Sequence, residues 1–131
     1  MRRYAEKTKV PVSNSRIEIE RTLQRYGADQ FLFGMGDDRA LVGFRMNGRH
    51  VKIFLTLPKD NLAEVRRRWR AMAMVIKAKL EAVASGISVF DDEFMAHIVL
   101  PSGETVGEFM RPQIALAYEK GTMPKLLPGP N

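Results

Sequence analysis

Apolar and polar residues alternate on both sides of Asn47-Gly48, in ALVGFRM (40–46) and HVKIFLTL (50–57), which is the period of half-buried strands. Asn-Gly readily supplies the two positive φ angles of a type I′ turn, so the pattern predicts a tight β-hairpin. A two-residue turn at that point sets Phe44 opposite Val51, Val42 opposite Ile53, Arg45 opposite His50 and Leu41 opposite Phe54. One face then collects Val42, Phe44, Met46, Val51, Ile53 and Leu55 and is expected to face the core. The other carries Leu41, Gly43, Arg45, His50, Lys52, Phe54 and Thr56, a basic surface with an aromatic ring in it.

After Pro58 the period changes. Leu62, Val65, Trp69, Met72, Ile76, Leu80 and Val83 recur at steps of three and four, so a long helix is expected. Asp60 or Asn61 caps it, it runs to about Ser85, and Gly86 stops it. Its apolar stripe lies on the core face of the sheet, and Trp69 is expected in the core. Upstream, Ser15-Arg16-Ile17-Glu18 has the spacing of a capping box, opening a helix over about 16–26. Ile19, Leu23 and Tyr26 form its stripe, Glu18, Arg21 and Arg25 lie away from it, and Gly27 closes it. Gln30-Phe31-Leu32-Phe33 reads as a short strand, and Gly34 to Asp38 as its turn into the hairpin.

Beyond Gly86, early acids in Asp91-Asp92-Glu93 favour a helix start, and Pro101-Ser102-Gly103 is a turn. Thr105-Val106-Gly107-Glu108 is a second capping box, opening a helix that Pro112 kinks or splits before Gly121 ends it. Phe109, Ile114, Leu116 and Tyr118 supply its apolar surface. These elements predict one α+β domain over 14–121, ordered α-β-β-β-α around a three-stranded antiparallel sheet, with C-terminal helices after it. A flexible N-terminal arm (1–13) precedes it and a C-terminal coil (122–131) follows.

The chain has 131 residues and no cysteine, which excludes disulfides, thiol nucleophiles and cysteine-based zinc sites. No apolar run reaches a membrane span and the N-terminus lacks the apolar segment of a secretory signal, so a soluble intracellular protein is expected. Lysines and arginines number 21 against 15 acids, a formal charge of +6, which raises the expectation of a polyanionic partner. The densest positive charge is Arg66-Arg67-Arg68-Trp69-Arg70. Arg66, Arg67, Arg70 and Lys77 lie beside or opposite the apolar stripe, either as a solvated helix face or as cations awaiting an anion.

Catalytic patterns are sparse. The two histidines, His50 and His97, lack metal-pair spacing, and Glu93 with His97 is expected to be a local contact rather than a dyad. Asp91, Asp92 and Glu93 point around a helix instead of converging on magnesium. The Gly34–Asp38 run matches no phosphate-loop motif, and no GxSxG elbow is present. No enzyme activity, metal or cofactor is expected. Nucleic-acid binding needs fewer exact positions: cations neutralise phosphates and exposed aromatics stack on bases. Arg45, Arg49, His50, Lys52 and Phe54 offer both on one hairpin, and Arg66, Arg67, Arg70 and Lys77 are expected to extend that surface.

The segments IERTLQRYGA, GFRMNGRHVKIFLTLP, RRRWRAMAMVIKAKLEAV and EFMAHIVLPSGETVGEFMRPQI resemble an uncharacterised family of small bacteriophage and prophage proteins, over about residues 16–128. The short KDNLAEV link before the Trp69 helix departs from that pattern. The resemblance implies a viral origin and a host-cell cytoplasm, and it assigns no residue a role. In such a setting two functions are expected. The first is a non-enzymatic protein that binds single-stranded DNA in replication or recombination; the α-β-β-β-α order is loosely similar to the core of phage single-strand annealing proteins. The alternative is an anti-defence inhibitor that binds a host immune protein, its arginines meeting an acidic patch. A homo-oligomer is compatible with either. The nucleic-acid reading requires the strip around Lys52 and Phe54 to lie open.

Overall fold

The computed structural model describes residues 2–122, with side-chain surroundings from residue 14 onward. Asn47 and Gly48 take φ of 58° and 73°, the pair of left-handed residues a type I′ turn requires. They join β2 (Arg39–Met46) to β3 (Arg49–Thr56) in the expected register, with Phe44 opposite Val51 and Arg45 opposite His50. β1 (Gln30–Met35) pairs antiparallel with β2, completing a three-stranded sheet in the order β1-β2-β3. β1 is longer than expected: the glycine-rich run enters the ladder, Gly34 opposite Leu41, and the turn shrinks to Gly36–Asp38. Gly34 stays in the strand because nothing crowds it and Leu41 packs beside its backbone.

Two helices cover the core face. α1 spans Arg2–Arg25 and α2 spans Leu62–Ala84. Ile19 and Leu23 of α1 and Val65, Trp69, Met72, Ile76 and Leu80 of α2 are buried with Val42, Phe44, Val51 and Ile53. The Asn61 side chain accepts the Glu64 backbone N–H at 3.1 Å and caps α2, and Gly86 follows its end with φ 82°. α1 and α2 run in the same direction, since three antiparallel strands intervene and Tyr26 at the end of α1 meets Glu81 near the end of α2.

The N-terminal expectation is corrected. The segment 2–13, expected to be a flexible arm, is helical backbone continuous with 14–25, and Ser15 is a buried residue inside the helix rather than its cap. Extending a helix that packing has already nucleated costs far less than starting one, so Pro11 removes one hydrogen bond without ending it. The coil expected over 122–131 lies outside the described residues apart from Thr122, a bend.

The last third runs along the edge of β3. α3 (Phe90–Phe94) sends Phe90 and Phe94 into the core, and Phe94 meets Phe44 edge to face at 5.6 Å between ring centres. A 3-10 turn (Met95–His97) follows, and then Ile98 bridges to Val51. α4 (Val106–Lys120) opens with the expected capping box: Thr105 Oγ1 accepts the Glu108 N–H at 3.1 Å and Glu108 Oε1 accepts the Thr105 N–H at 2.8 Å. It continues through Pro112 in one piece, because the ring sits on an exposed side and costs one hydrogen bond without displacing packed neighbours. Phe109, Ile114, Leu116 and Tyr118, which supply the helix's apolar surface, are exposed. The close anchor of α4 is instead Gly107, buried against the 95–97 turn.

A Cβ at Gly107 would lie 2.9 Å from the Ala96 carbonyl oxygen. Gly107→Ala should therefore lower stability by about 1–3 kcal/mol, the usual cost of overpacking. Denaturant unfolding checks it, whereas an unchanged midpoint would mean α4 is not seated there.

Candidate nucleic-acid interface

The residues singled out from the sequence fall on two opposite surfaces. Arg45, His50, Lys52 and Phe54 lie on the outer face of the sheet, joined there by Leu32, Gly43 and Arg39. Part of this face is open: Leu32 is 57% exposed, and the missing side chain of Gly43 leaves a shallow hollow of about 140 Å³ bordered by Leu32, His50 and Lys52. Part of its positive charge is already paired. Arg45 makes a two-pronged contact with Asp29, Nε to Oδ1 at 3.0 Å, which holds the Asp29 carboxyl below its usual range. Lys52 and Phe54 are half-buried, and the Phe54 ring carries the Arg39 guanidinium 4.3 Å from its centre. A base stacking on that ring face would first have to displace Arg39.

Arg49 does not belong with them. It stands opposite Met46, on the core side of the sheet, and grips Asp91 of α3 with Nε and Nη2 at 3.2 and 3.1 Å. The acid that explains it lies far along the chain, so only the fold reveals the pair.

The arginine cluster divides in two. Arg67 and Arg68 both bond Glu64 (2.8 and 2.9 Å from their Nε atoms), and Arg68 Nη1 also donates to the Thr56 carbonyl at 2.8 Å. These hydrogen bonds hold the Glu64 carboxyl down to about 2. The neutralising acid was legible, since Glu64 stands three and four residues before its partners, a spacing that meets on a helix surface. Arg66, Arg70 and Lys77 occupy another flank of α2, at steps of four and seven, and have no acid within ion-pair distance among the described residues.

That flank faces α1. Lys77 lines a cleft of about 470 Å³ with Asn14, Ile17, Glu18, Arg21, Thr22 and Arg25. Arg21 and Arg25, which sequence reading placed only as polar positions of α1, are exposed and likewise lack an acid partner among the described residues. Glu18 is the one acid in the lining. The groove thus gathers Arg21, Arg25 and Lys77, with Arg70 and Arg66 continuing along α2. Because α1 and α2 cover the core face, this surface is separated from the outer face by the whole sheet, and the two do not form one strip. The available signal for Arg21 and Arg25 was their spacing of four on the polar side of α1.

Residues weighed for catalysis disperse. Glu93 meets Lys79 (3.5 Å) rather than His97. His97 is half-buried beside the β3 backbone, and burial, then Lys79 and Arg111, push its pKa down. Among the described residues no three His, Asp or Glu side chains are grouped as a metal site, and no helix is long and apolar enough to cross a membrane. Comparison with protein-family models, curated proteins and solved structures finds no match.

The Glu64 pair has a defined pH signature. A carboxyl held below its unfolded pKa contributes stability that is present above the unfolded value, near 4.3, and is lost as pH falls towards the folded value of about 2. Carboxyl NMR titration should place Glu64 near 2, and Arg68→Ala should raise it. A titration at the ordinary glutamate value would show the arginines unneutralised.

Proposed function

We propose that this chain is a phage-encoded, non-enzymatic nucleic-acid-binding protein that acts in the host cytoplasm and holds single-stranded DNA in the groove between α1 and α2. The observation that carries this reading is a groove lined by Arg21, Arg25 and Lys77, with Arg66 and Arg70 on the same flank of α2, none of the five paired with an acid among the described residues. Cations brought together by folding repel one another unless an anion joins them, and a phosphate chain supplies regularly spaced negative charge. The outer face of the sheet, where Arg45 is paired and Phe54 is covered, plays the lesser part.

A protein partner is the second reading, favoured by the exposed Phe109, Ile114, Leu116 and Tyr118 on α4. An anti-defence inhibitor would bind its host target through that helix, and a complex surviving nuclease treatment would support it.

Binding to labelled single- and double-stranded oligonucleotides across a salt series tests the proposal. Five phosphate contacts on a single strand give a log K against log salt slope of about −3.5, and Arg21→Ala/Arg25→Ala/Lys77→Ala should cut its magnitude by about 2. Arg49→Ala, which removes a paired arginine, should leave the slope nearly unchanged. Absence of binding at low salt, or equal loss from both variants, would reject the groove.

A further inference from the structure

The two edges of the sheet are unlike. Along β3 two of the outward carbonyls are used: that of His50 accepts the Val99 N–H at 2.8 Å, and that of Thr56 accepts Arg68. Ile98 also bridges Val51 from that side. Along β1 they are not. Gly36 N–H bonds the Arg39 carbonyl, so by alternation the even residues of β1 point at β2, and Phe31, Phe33 and Met35 turn their N–H and C=O groups outward. None of these groups meets a partner among the described residues. The strand, QFLFGM, contains no charge, proline or bulge, the devices that usually guard an edge.

We propose that the β1 edge binds a second copy of this chain, antiparallel about a two-fold axis, to give a continuous six-stranded sheet. Three observations select a copy as the occupant. Because Ile98, Val99 and Arg68 lie against the β3 edge, a second strand cannot add along it head to tail, and β1 against β1 is the pairing that closes. The strand is self-complementary when Phe33 lies opposite Phe33 of the other copy: Phe31 then faces Met35, and Leu32, 57% exposed, faces the vacant side-chain position of Gly34. The α1 flank above this edge, which shares a cleft with Phe33, carries Arg16, the exposed Ile17 and Glu20. An antiparallel neighbour brings each Arg16 towards the other copy's Glu20 and puts the two Ile17 side chains together. The axis would also set two cationic grooves side by side, although the pairing does not depend on nucleic acid.

Sedimentation velocity of the full chain, free of nucleic acid, reads the association directly. A dimer is expected that persists at high salt, where screening of two +6 chains favours it. Met35→Lys, at an exposed position, should give a monomer with an unchanged circular dichroism spectrum. The chain lacks cysteine, so Leu32→Cys introduces a single thiol. In this register the two copies' Cβ atoms lie about 7–8 Å apart, and a short bismaleimide should join them. Met74→Cys, on the exposed side of α2, should not crosslink. A monomer at every concentration would overturn the proposal, as would a dimer indifferent to Met35→Lys or crosslinked equally through Met74→Cys. A monomer that instead captures an unrelated extended peptide on β1 would also overturn it.

Discussion

Two positive φ angles, at Asn47 and Gly48, decide the parity of the sheet, and nearly everything else inherits that decision. A slip of one residue would send Val42, Phe44, Val51 and Ile53 to solvent and bring Arg45 and Lys52 onto the helices. With the parity fixed, the core face presents an apolar surface wide enough for two parallel helices. Trp69, Ile76 and Ile19 fill the space between the layers. The groove between α1 and α2 is therefore a consequence of the hairpin register, although none of its residues lies in the hairpin.

The same layering sorts the charges. Four arginines near the strands and at the start of α2 find carboxylates: Arg45 with Asp29, Arg49 with Asp91, and Arg67 and Arg68 with Glu64. These are partly exposed pairs whose energetic worth is small, so their importance lies in taking cations out of circulation. Among the described residues, Arg21, Arg25 and Lys77 come together without an acid partner where two polar helix flanks face each other.

Local signals were legible and long-range ones were not. The Asn-Gly turn, the α2 stripe and the Thr105–Glu108 capping box are written within a few residues, and each appears where the sequence puts it. The start of α1 was misplaced because Ser15 and Glu18 have the capping spacing, yet Ser15 is buried within a longer helix. The apolar residues of α4 stand exposed, because periodicity shows that a helix has an apolar side without showing that anything covers it. For the interface, the hairpin's basic strip was correctly placed on one face, but the acids that pair Arg45 and Arg49 lie 16 and 42 residues away in the chain. Arg21 and Arg25 meet Lys77 only through helix packing, which no local pattern encodes.

Residue-by-residue NMR shift mapping with a short oligodeoxythymidine asks whether an anionic strand lies between α1 and α2. Shifts should saturate at Arg21, Arg25, Arg70 and Lys77 and leave His50 and Lys52 unmoved. Shifts centred on His50, Lys52 and Gly43 would place the interface on the outer face of the sheet and contradict it.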